Sequence, residues 1–170
     1  MDTFNKLPLN PPPSLREKQP FTSVDTPVDA NQALPGANRK ILIVDDDAIV
    51  LKTFQLKLKG CGFNVISAAE AAEGIGAVRR ERPEAVILDL NFPPGENFSS
   101  LNWNGMHILQ WLKRYKDVAD IPIIILTGDD PGKSKDTVLA AGASVFFQKP
   151  VDLKVFLSEL LRLIGDKPRS

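Results

Sequence analysis

Hydrophobic positions in residues 39–165 follow two kinds of spacing. Short, continuous apolar runs predict buried strands, and longer stretches with an apolar residue every three or four positions predict amphipathic helices. The predicted strands cover residues 41–44, 63–66, 85–90, 121–127 and 144–148. The predicted helices cover residues 47–59, 69–81, 105–116, 133–141 and 153–164. Gly60 and Gly142 are placed to end the first and fourth helices, and Asp152 is placed to cap the fifth.

Five strands alternate with five helices in this pattern, which is typical of an α/β fold. Right-handed crossovers between successive strands then give a parallel sheet that helices cover on both faces. The first, third and fourth runs are the most continuously apolar, so we expect them at the centre of the sheet. In such folds, ligands bind beyond the carboxyl ends of the strands, near the point where the strand order reverses. The residues that follow each strand are therefore the candidates for a functional site.

Residues 1–38 show no sustained helical or strand periodicity. They hold half of the 14 prolines, namely Pro8, Pro11, Pro12, Pro13, Pro20, Pro27 and Pro35. We expect a disordered or polyproline-like tail here, a folded domain over residues 39–165 and a short C-terminal tail over residues 166–170. The N-terminal tail is either a solvated leader or an arm that binds a partner. Because the sequence ends soon after the predicted domain, we expect neither an output domain nor direct DNA binding.

The composition narrows the class of protein. The 170 residues are 43% hydrophobic, which is enough for a core, and 21 basic residues balance 21 acidic ones. This balance gives no basic footprint for nucleic acid and no polybasic segment for an anionic membrane. No apolar run is long enough to span a bilayer, and the N-terminus lacks the apolar core of a signal peptide. Because Cys61 is the only cysteine, no internal disulfide can form, and we expect a cytoplasmic protein without membrane insertion.

Charged and hydroxyl side chains stand at the ends of four predicted strands. Asp45 and Asp46 follow the first strand, and Asp89 lies at the end of the third. Thr127 ends the fourth strand, and Lys149 follows the fifth. Three carboxylates at one edge of a sheet repel one another, and a buried carboxylate without compensation is costly. Mg²⁺ would compensate them, since it takes oxygen ligands and completes its shell with water and phosphate oxygens.

The same residues suit phosphoryl transfer. A carboxylate such as Asp89 can act as the nucleophile and form an aspartyl-phosphate. A hydroxyl and a cation, here Thr127 and Lys149, would stabilise the charge on the phosphoryl oxygens. Taken singly, Asp46 or Asp47 could be a helix cap, and Thr127 and Lys149 a turn residue and a surface charge. Their combination at four strand ends favours a common site.

Four motifs include these strand ends in order: ILIVDDD (41–47), VILDLNFP (86–93), IIILTG (123–128) and VFFQKP (145–150). On these motifs, residues 39–165 resemble the receiver domain of response regulators in two-component signalling. The resemblance implies a flavodoxin-like fold, with a five-stranded parallel sheet of order 2-1-3-4-5 and five helices. It also implies a phosphoacceptor rather than an enzyme, apart from self-catalysed phosphorylation and dephosphorylation.

The resemblance further implies a role for each matching acidic or amide residue. Asp89 would be the phosphoacceptor. Asp45 and Asp46 would bind Mg²⁺ together with Asp89, and the backbone carbonyl of Asn91 would complete the protein's share of the ligands. Asn91 and Asp129 occupy positions whose side chains tune dephosphorylation in the family.

A second set of matching residues implies a switch. In the family, phosphorylation draws a threonine hydroxyl inward, and an aromatic residue of the fifth strand rotates into the vacated space. Thr127 and Phe146 match these positions, and Lys149 matches the lysine that contacts the phosphoryl group. Such a pair is a two-state element that one added charge can bias. Core packing is the plainer role of Phe146, and both roles can hold; the Lys149–Pro150 bond matches a cis peptide bond of the family.

One segment departs from the family pattern. Gly105 matches a glycine of the family, but it follows Asp89 at a greater separation than is usual there. The additional residues lie within the loop 93–104, whose large apolar residues are Phe98, Leu101 and Trp103. These side chains either fold over the phosphorylation pocket, form a partner surface, or pack onto the third helix.

We therefore expect a stand-alone receiver that takes phosphate from a sensor histidine kinase or a phosphotransfer protein and signals to an unknown output protein. The fourth helix, fifth strand and fifth helix form a candidate face for a partner or a homodimer. Val155 and Leu163 fall outside the main apolar stripe of the last helix and either join this face or are singly exposed. Two alternatives stay open: a haloacid-dehalogenase-type phosphohydrolase that uses the acids at 45–47, and a binding module that is not phosphorylated.

Overall fold

The computed structural model describes residues 34–91 and 104–165. Three expectations lie outside these residues: those on the N-terminal tail up to residue 33, on the apolar loop residues Phe98, Leu101 and Trp103, and on the C-terminal tail 166–170. In the part of the chain that is described, no helix has the length and apolar character needed to cross a bilayer.

Strands and helices alternate along the chain as the sequence predicts, with every predicted boundary within two residues. The strands are β1 (Lys40–Val44), β2 (Asn64–Ala68), β3 (Ala85–Leu88), β4 (Ile123–Thr127) and β5 (Val145–Gln148). The helices are α1 (Ala48–Gly60), α2 (Ala71–Glu81), α3 (Gly105–Arg114), α4 (Pro131–Ala140) and α5 (Leu153–Ile164).

The five strands form one parallel sheet in the order β2-β1-β3-β4-β5. This order confirms the predicted flavodoxin-like topology. β2 pairs with one side of β1 and β3 pairs with the other, so the direction of winding reverses between β1 and β3. A ligand is therefore expected beyond the carboxyl ends of these two strands.

Helices cover both faces of the sheet and form two cores. Buried residues of α2, α3 and α4 pack on one face, and those of α1 and α5 pack on the other. The strands follow the two-residue repeat: Leu42 and Val44 belong to the first core, and Ile41 and Ile43 to the second. β1, β3 and β4 are almost wholly buried, which confirms their predicted central position.

Local backbone chemistry explains two of the small shifts between predicted and observed element boundaries. β3 ends at Leu88 rather than at residue 90, because the chain turns at Asp89, whose Oδ1 accepts the N–H of Asn91 at 3.2 Å. α4 begins at Pro131 rather than at residue 133, because the side chain of Asp130 caps it and proline is favourable in the first turn.

Gly60 ends α1 as predicted, and the turn that follows uses a second glycine. Gly60 is the last residue of α1, and Gly62 has the positive φ, +92°, that reverses the chain after it. Gly142, with a φ of +104°, follows α4 as predicted, and Asp152 caps α5 through the N–H of Lys154 at 2.7 Å.

The apolar face of α5 is mostly as predicted, with Phe156, Leu160 and Ile164 buried. Val155 is 58% exposed, as the pattern indicates, but Leu163 packs against the core formed with α1 and does not lie outside the stripe. The predicted range 105–116 for α3 was too long by two residues. The helix ends at Arg114, so Tyr115 has extended backbone angles and is 46% exposed.

The beginning of α3 lies against the end of β3. The N–H of Gly105 donates to the carbonyl of Leu90 at 3.1 Å. A Cβ atom at Gly105 would lie 2.6 Å from the Leu90 Cα and closer still to the carbonyl oxygen of Asp89. Glycine is required here because two backbones approach each other directly. The loop between Asn91 and Asn104 thus leaves and rejoins the described chain beside Asp89.

Candidate functional site

Asp45 and Asp89 leave neighbouring strands side by side. Val44 pairs with Leu88 in the sheet, so the next residue of each strand lies beyond the same edge. Only 2% of Asp45 and 6% of Asp89 is exposed. Two buried carboxylates on adjacent strand ends repel each other and require a compensating cation.

Lys149 supplies part of that compensation. Its Nζ donates to Asp45 Oδ2 at 2.6 Å and to Asp89 Oδ2 at 2.9 Å. Its backbone N–H donates to the carbonyl of Thr127 at 2.7 Å, which holds the end of β5 beside the end of β4. The Lys149–Pro150 peptide bond is cis, as the resemblance implies.

Burial and hydrogen bonding act in opposite directions on these charges. Burial raises the pKa of Asp45 above its usual 3.8, against the hydrogen bonds from Lys149 and from the N–H of Asp47. For Lys149, burial favours the neutral amine, but the hydrogen bonds to the two carboxylates outweigh it and raise the pKa above its usual 10.5. Lys149 therefore carries its positive charge at neutral pH.

A third carboxylate completes an acidic cluster. Ligand oxygens of Asp45, Asp46 and Asp89 lie within 4.8 Å of one another, and Asp46 is exposed. This set fits Mg²⁺, because all three donors are hard oxygen ligands and water can complete the shell on the exposed side. Asp47 has a different role. Its side chain accepts two N–H groups from the first turn of α1, at 2.7 and 3.3 Å, and caps that helix.

A series of hydrogen bonds links Asp89 to Thr127 around the rim of the site. The N–H of Asn91 donates to Asp89 Oδ1 at 3.2 Å, and the side-chain Nδ2 of Asn91 donates to Asp129 Oδ1 at 2.9 Å. The N–H of Asp129 donates to Thr127 Oγ1 at 3.3 Å, and Thr127 is fully buried. The sequence indicates these residues one by one, but it does not predict the contact between Asn91 and Asp129.

The two phenylalanines of β5 belong to opposite cores. Phe146 is buried on the face of α2, α3 and α4, the face toward which Thr127 also points by the two-residue repeat of its strand. Phe147 packs against Phe156 of α5, with ring centroids 5.4 Å apart, and Phe156 packs edge-on against Phe54 of α1 at 5.3 Å. Phe146 therefore has the core-packing role that the sequence allows, in an inward position.

The structure thus brings most of the predicted site residues together. Asp45, Asp46, Asp89 and Lys149 form one cluster, and Thr127 lies at the same edge and is linked to it by hydrogen bonds. The ligand role of the Asn91 backbone carbonyl stays a prediction. Two buried carboxylates that one lysine bridges, at the winding reversal of a 2-1-3-4-5 sheet, are the arrangement of a receiver domain.

Comparison with known families agrees with this class. Residues 41–161 match the response regulator receiver domain. Because the match covers more than half of the sequence, the chain belongs to the response regulator receiver domain family. Membership of this family favours the phosphoacceptor over the haloacid-dehalogenase-type phosphohydrolase.

Curated relatives are response regulators and transcriptional regulators. The probable transcriptional regulator ycf27 of Porphyridium aerugineum is 33% identical over 134 residues, which cover 77% of this chain and 51% of the relative. The polar-differentiation response regulator DivK of Brucella anthropi is 21% identical over 128 residues, which cover 75% of this chain and 98% of the relative. The chain therefore spans about half the length of ycf27 and nearly all of DivK.

Solved structures share the fold. A putative response regulator from Chloroflexus aurantiacus has a TM-score of 0.67 at 24% identity, covering 75% of this chain and 98% of that one. The BeF3-activated N-terminal receiver domain of Klebsiella pneumoniae RstA has a TM-score of 0.65 at 25% identity, covering 75% and 100%. The receiver domain of a signal transduction histidine kinase from Syntrophus aciditrophicus has a TM-score of 0.66 at 26% identity, covering 78% and 94%.

Proposed function

We propose that the chain is the phosphoacceptor of a two-component phosphorelay and that Asp89 is the residue phosphorylated. The observation that carries the proposal is the environment of Asp89. Its carboxylate is buried, lies within a cluster of three acids and is bound by the ammonium of Lys149. Three carboxylates that repel one another around a single ammonium cost the fold stability, so this arrangement is typical of a reactive site.

The position of β3 distinguishes Asp89 from the other acids. β3 lies between β1 and β4, so Asp89 has Asp45 on one side and the end of β4, with Thr127, on the other. Asp46 is exposed, and Asp47 is committed to the cap of α1. Asp89 therefore lies between the proposed metal ligands and the proposed phosphoryl-binding donor Thr127.

In the proposed reaction, a carboxylate oxygen of Asp89 attacks the phosphorus of a phosphohistidine in a sensor histidine kinase or a phosphotransfer protein. An oxygen–phosphorus bond forms while the phosphorus–nitrogen bond breaks, and the histidine leaves with the electron pair. Lys149 transfers a hydrogen bond from the carboxylate to a phosphoryl oxygen, and the Thr127 hydroxyl donates a second one.

Asp45, Asp46, Asp89 and the backbone carbonyl of Asn91 would hold Mg²⁺. When bound, the ion would offset the repulsion between the carboxylates and the incoming phosphoryl oxygens. Lys149 would supply a second positive charge to the same carboxylates, since it binds both Asp45 and Asp89.

The proposed output is a surface change read by a protein partner. The Thr127 hydroxyl would turn to the phosphoryl group and weaken its contact with the N–H of Asp129, which follows β4 and precedes α4. Phe146 is already inward, so its part would be to stabilise that position. The face of α4, β5 and α5, with Val155 exposed on it, is the proposed contact for a partner or a second copy.

The test is intact-mass measurement after treatment with acetyl phosphate and Mg²⁺. We expect one added phosphoryl group in the wild-type chain, none in Asp89→Asn, and one in the control Asp47→Asn. Asparagine caps helices about as well as aspartate, so the control keeps α1 intact.

Two outcomes would contradict the proposal. Sustained hydrolysis of phosphomonoesters that depends on Asp45 would show a phosphohydrolase. Absence of a mass gain over a range of Mg²⁺ concentrations, in a folded protein, would show a binding module that is not phosphorylated.

A further inference from the structure

The arginines in the described part of the chain differ in whether an oxygen acceptor binds them. Those that donate to carbonyl or carboxylate oxygens are Arg39, Arg80, Arg82 and Arg162. Arg79 and Arg114 have no such acceptor within residues 34–91 and 104–165, and both are exposed. Arg79, in the last turn of α2, contacts Trp111 and Tyr115 at the C-terminal end of α3, and Arg114 directly precedes Tyr115.

The side chain of Arg79 contacts both of these aromatic rings. Its Cζ lies 5.8 Å from the ring centroid of Trp111 and 5.7 Å from that of Tyr115. The two rings also pack on each other, with centroids 4.3 Å apart. These contacts hold the guanidinium of α2 against α3 while its N–H groups stay available. A guanidinium that is held in advance loses less conformational entropy when it binds a carboxylate.

The surroundings of the rings are positively charged. Arg114 and Lys116 flank Tyr115 and are exposed. The acids that lie closest in sequence, Glu81 and Asp117, already pair with other cations. Cations are favourable at the C-terminal ends of helices, and this explains part of the positive charge here. It does not explain why Arg79 of α2 contacts aromatic rings of α3.

These residues lie away from the phosphorylation site. In a parallel sheet with crossover helices, each helix runs back toward the edge where the strands begin. The C-terminal ends of α2 and α3 therefore lie at the edge opposite Asp89. A partner bound there would leave the site open to a phosphodonor, so this inference does not depend on the proposed function.

We propose that this region, the α2–α3 surface, binds an acidic segment of a protein partner. Its residues are Arg79, Trp111, Arg114, Tyr115 and Lys116. Arginine, tryptophan and tyrosine are the residues that most often carry binding energy at the centre of protein interfaces. The fork of Arg79 would bind one carboxylate through two N–H groups, and the other two cations would meet further acids. Nucleic acid fits less well, because the net charge of the chain is zero and three cations would make few phosphate contacts.

The test uses the full chain with Trp103→Phe, so that Trp111 is the remaining tryptophan. Poly-L-glutamate is titrated, and mixed-sequence single-stranded DNA of equal charge is titrated in parallel. Readouts are the fluorescence of Trp111 and the amide chemical shifts. We expect poly-L-glutamate to bind and to shift amides at the ends of α2 and α3. Arg79→Ala with Arg114→Ala should weaken this binding by about tenfold or more, since charge-assisted contacts are lost.

The control is Arg80→Ala with Arg162→Ala, which removes two cations from the last turns of α2 and α5 and gives the same net charge. It should weaken binding by no more than about twofold, as expected for exposed, paired charges. If Arg79→Ala unfolds the chain by circular dichroism, Arg114→Ala alone carries the comparison. An equal loss in the control, tighter binding of DNA, or no binding of poly-L-glutamate would overturn the proposal.

Discussion

Asn91 and Asp129 form a hydrogen bond across the mouth of the site, with Nδ2 2.9 Å from Oδ1. Asn91 follows β3 and Asp129 follows β4. Each residue also binds the site through its backbone N–H, Asn91 to Asp89 and Asp129 to Thr127. One contact between side chains therefore couples the proposed phosphoacceptor to the proposed switch residue.

This coupling is measurable in a double-mutant cycle of Asn91→Ala and Asp129→Ala. We expect an interaction of about 0.5–1 kcal/mol in the free energy of unfolding, because the hydrogen bond is exposed but involves a charged acceptor. Urea unfolding of the four proteins provides the measurement. The cycle of Asn91→Ala with Asp136→Ala, an exposed acid of α4, should be additive. Additivity in both cycles would mean that the contact does not persist in solution.

Lys149→Met tests the compensation of the buried acids. The substitution leaves Asp45 and Asp89 without their shared cation. We expect the free energy of unfolding to fall by about 1–3 kcal/mol at neutral pH without divalent cations, somewhat less than for a fully buried pair. Added Mg²⁺ should stabilise this variant more than the wild type, since the repulsion it relieves is larger.

Lys154→Met, at an exposed position of α5, is the matched control for Lys149→Met. Its stability should change by less than about 0.5 kcal/mol. Equal stabilisation of both variants and the wild type by Mg²⁺ would argue against an ion at the acidic cluster.

Gly105→Ala tests the contact between α3 and the end of β3. An added Cβ would meet the backbone of Leu90 and Asp89, which cannot move aside as a flexible side chain can. We expect a loss of about 1–3 kcal/mol in the free energy of unfolding. Gly76→Ala in α2 is the control, because a Cβ there meets no atom within 4 Å. It should stabilise the chain by about 0.5–1 kcal/mol through helix propensity, and a similar effect at both sites would contradict the close approach.

Lys113 predicts a dependence of stability on pH. Its Nζ donates to the carbonyls of Ala119 and Ile121 at 2.8 and 3.0 Å, while burial lowers its pKa from 10.5 against the attraction of Asp120. Between the lowered pKa and 10.5, the unfolded chain binds more protons than the folded chain, so the free energy of unfolding rises with pH. Below the lowered pKa this contribution is constant.

We therefore expect the free energy of unfolding of the wild type to rise relative to that of Lys113→Met as pH rises through that window. Urea unfolding at a series of alkaline pH values provides the measurement. Lys133→Met, at an exposed position of α4, corrects for the general effect of losing one lysine. If the wild type instead loses stability relative to Lys113→Met as pH rises, the Lys113 ammonium is not buried in solution.

The sequence predicts the fold well because hydrophobic spacing alone distinguishes its strands from its helices. It also predicts the cluster of Asp45, Asp89 and Lys149, since a parallel sheet brings the carboxyl ends of its strands to one edge. Which of the three aspartates at 45–47 caps α1, and which face the site, is harder to predict from the sequence. Asp47 becomes the cap because of the backbone angles at which the chain enters α1, and a run of three aspartates does not contain that information.

Contacts between loops and the ends of helices account for what the sequence does not predict. The hydrogen bond from Asn91 to Asp129 depends on how two loops meet in space. The stacking of Arg79 depends on the relative position of α2 and α3 and on the end of α3 before Tyr115. Periodicity continues past a helix end as easily as within it, so residues 115 and 116 were predicted in a helix that ends at Arg114.

The aromatic packing on the face of α1 and α5 completes a closed series of contacts that joins Lys149, β5, α1 and Asp45. Lys149 follows β5, and Phe147 of that strand reaches Phe54 of α1 through one intervening ring. At the start of α1, the N–H of Asp47 donates to Asp45 Oδ1 at 2.9 Å, and Asp45 binds Lys149 in turn. A displacement of Lys149 toward a phosphoryl group would therefore act on β5 directly and on α1 through Asp45 and Asp47. Because the aromatic rings join β5 to α1, both elements would oppose that displacement together.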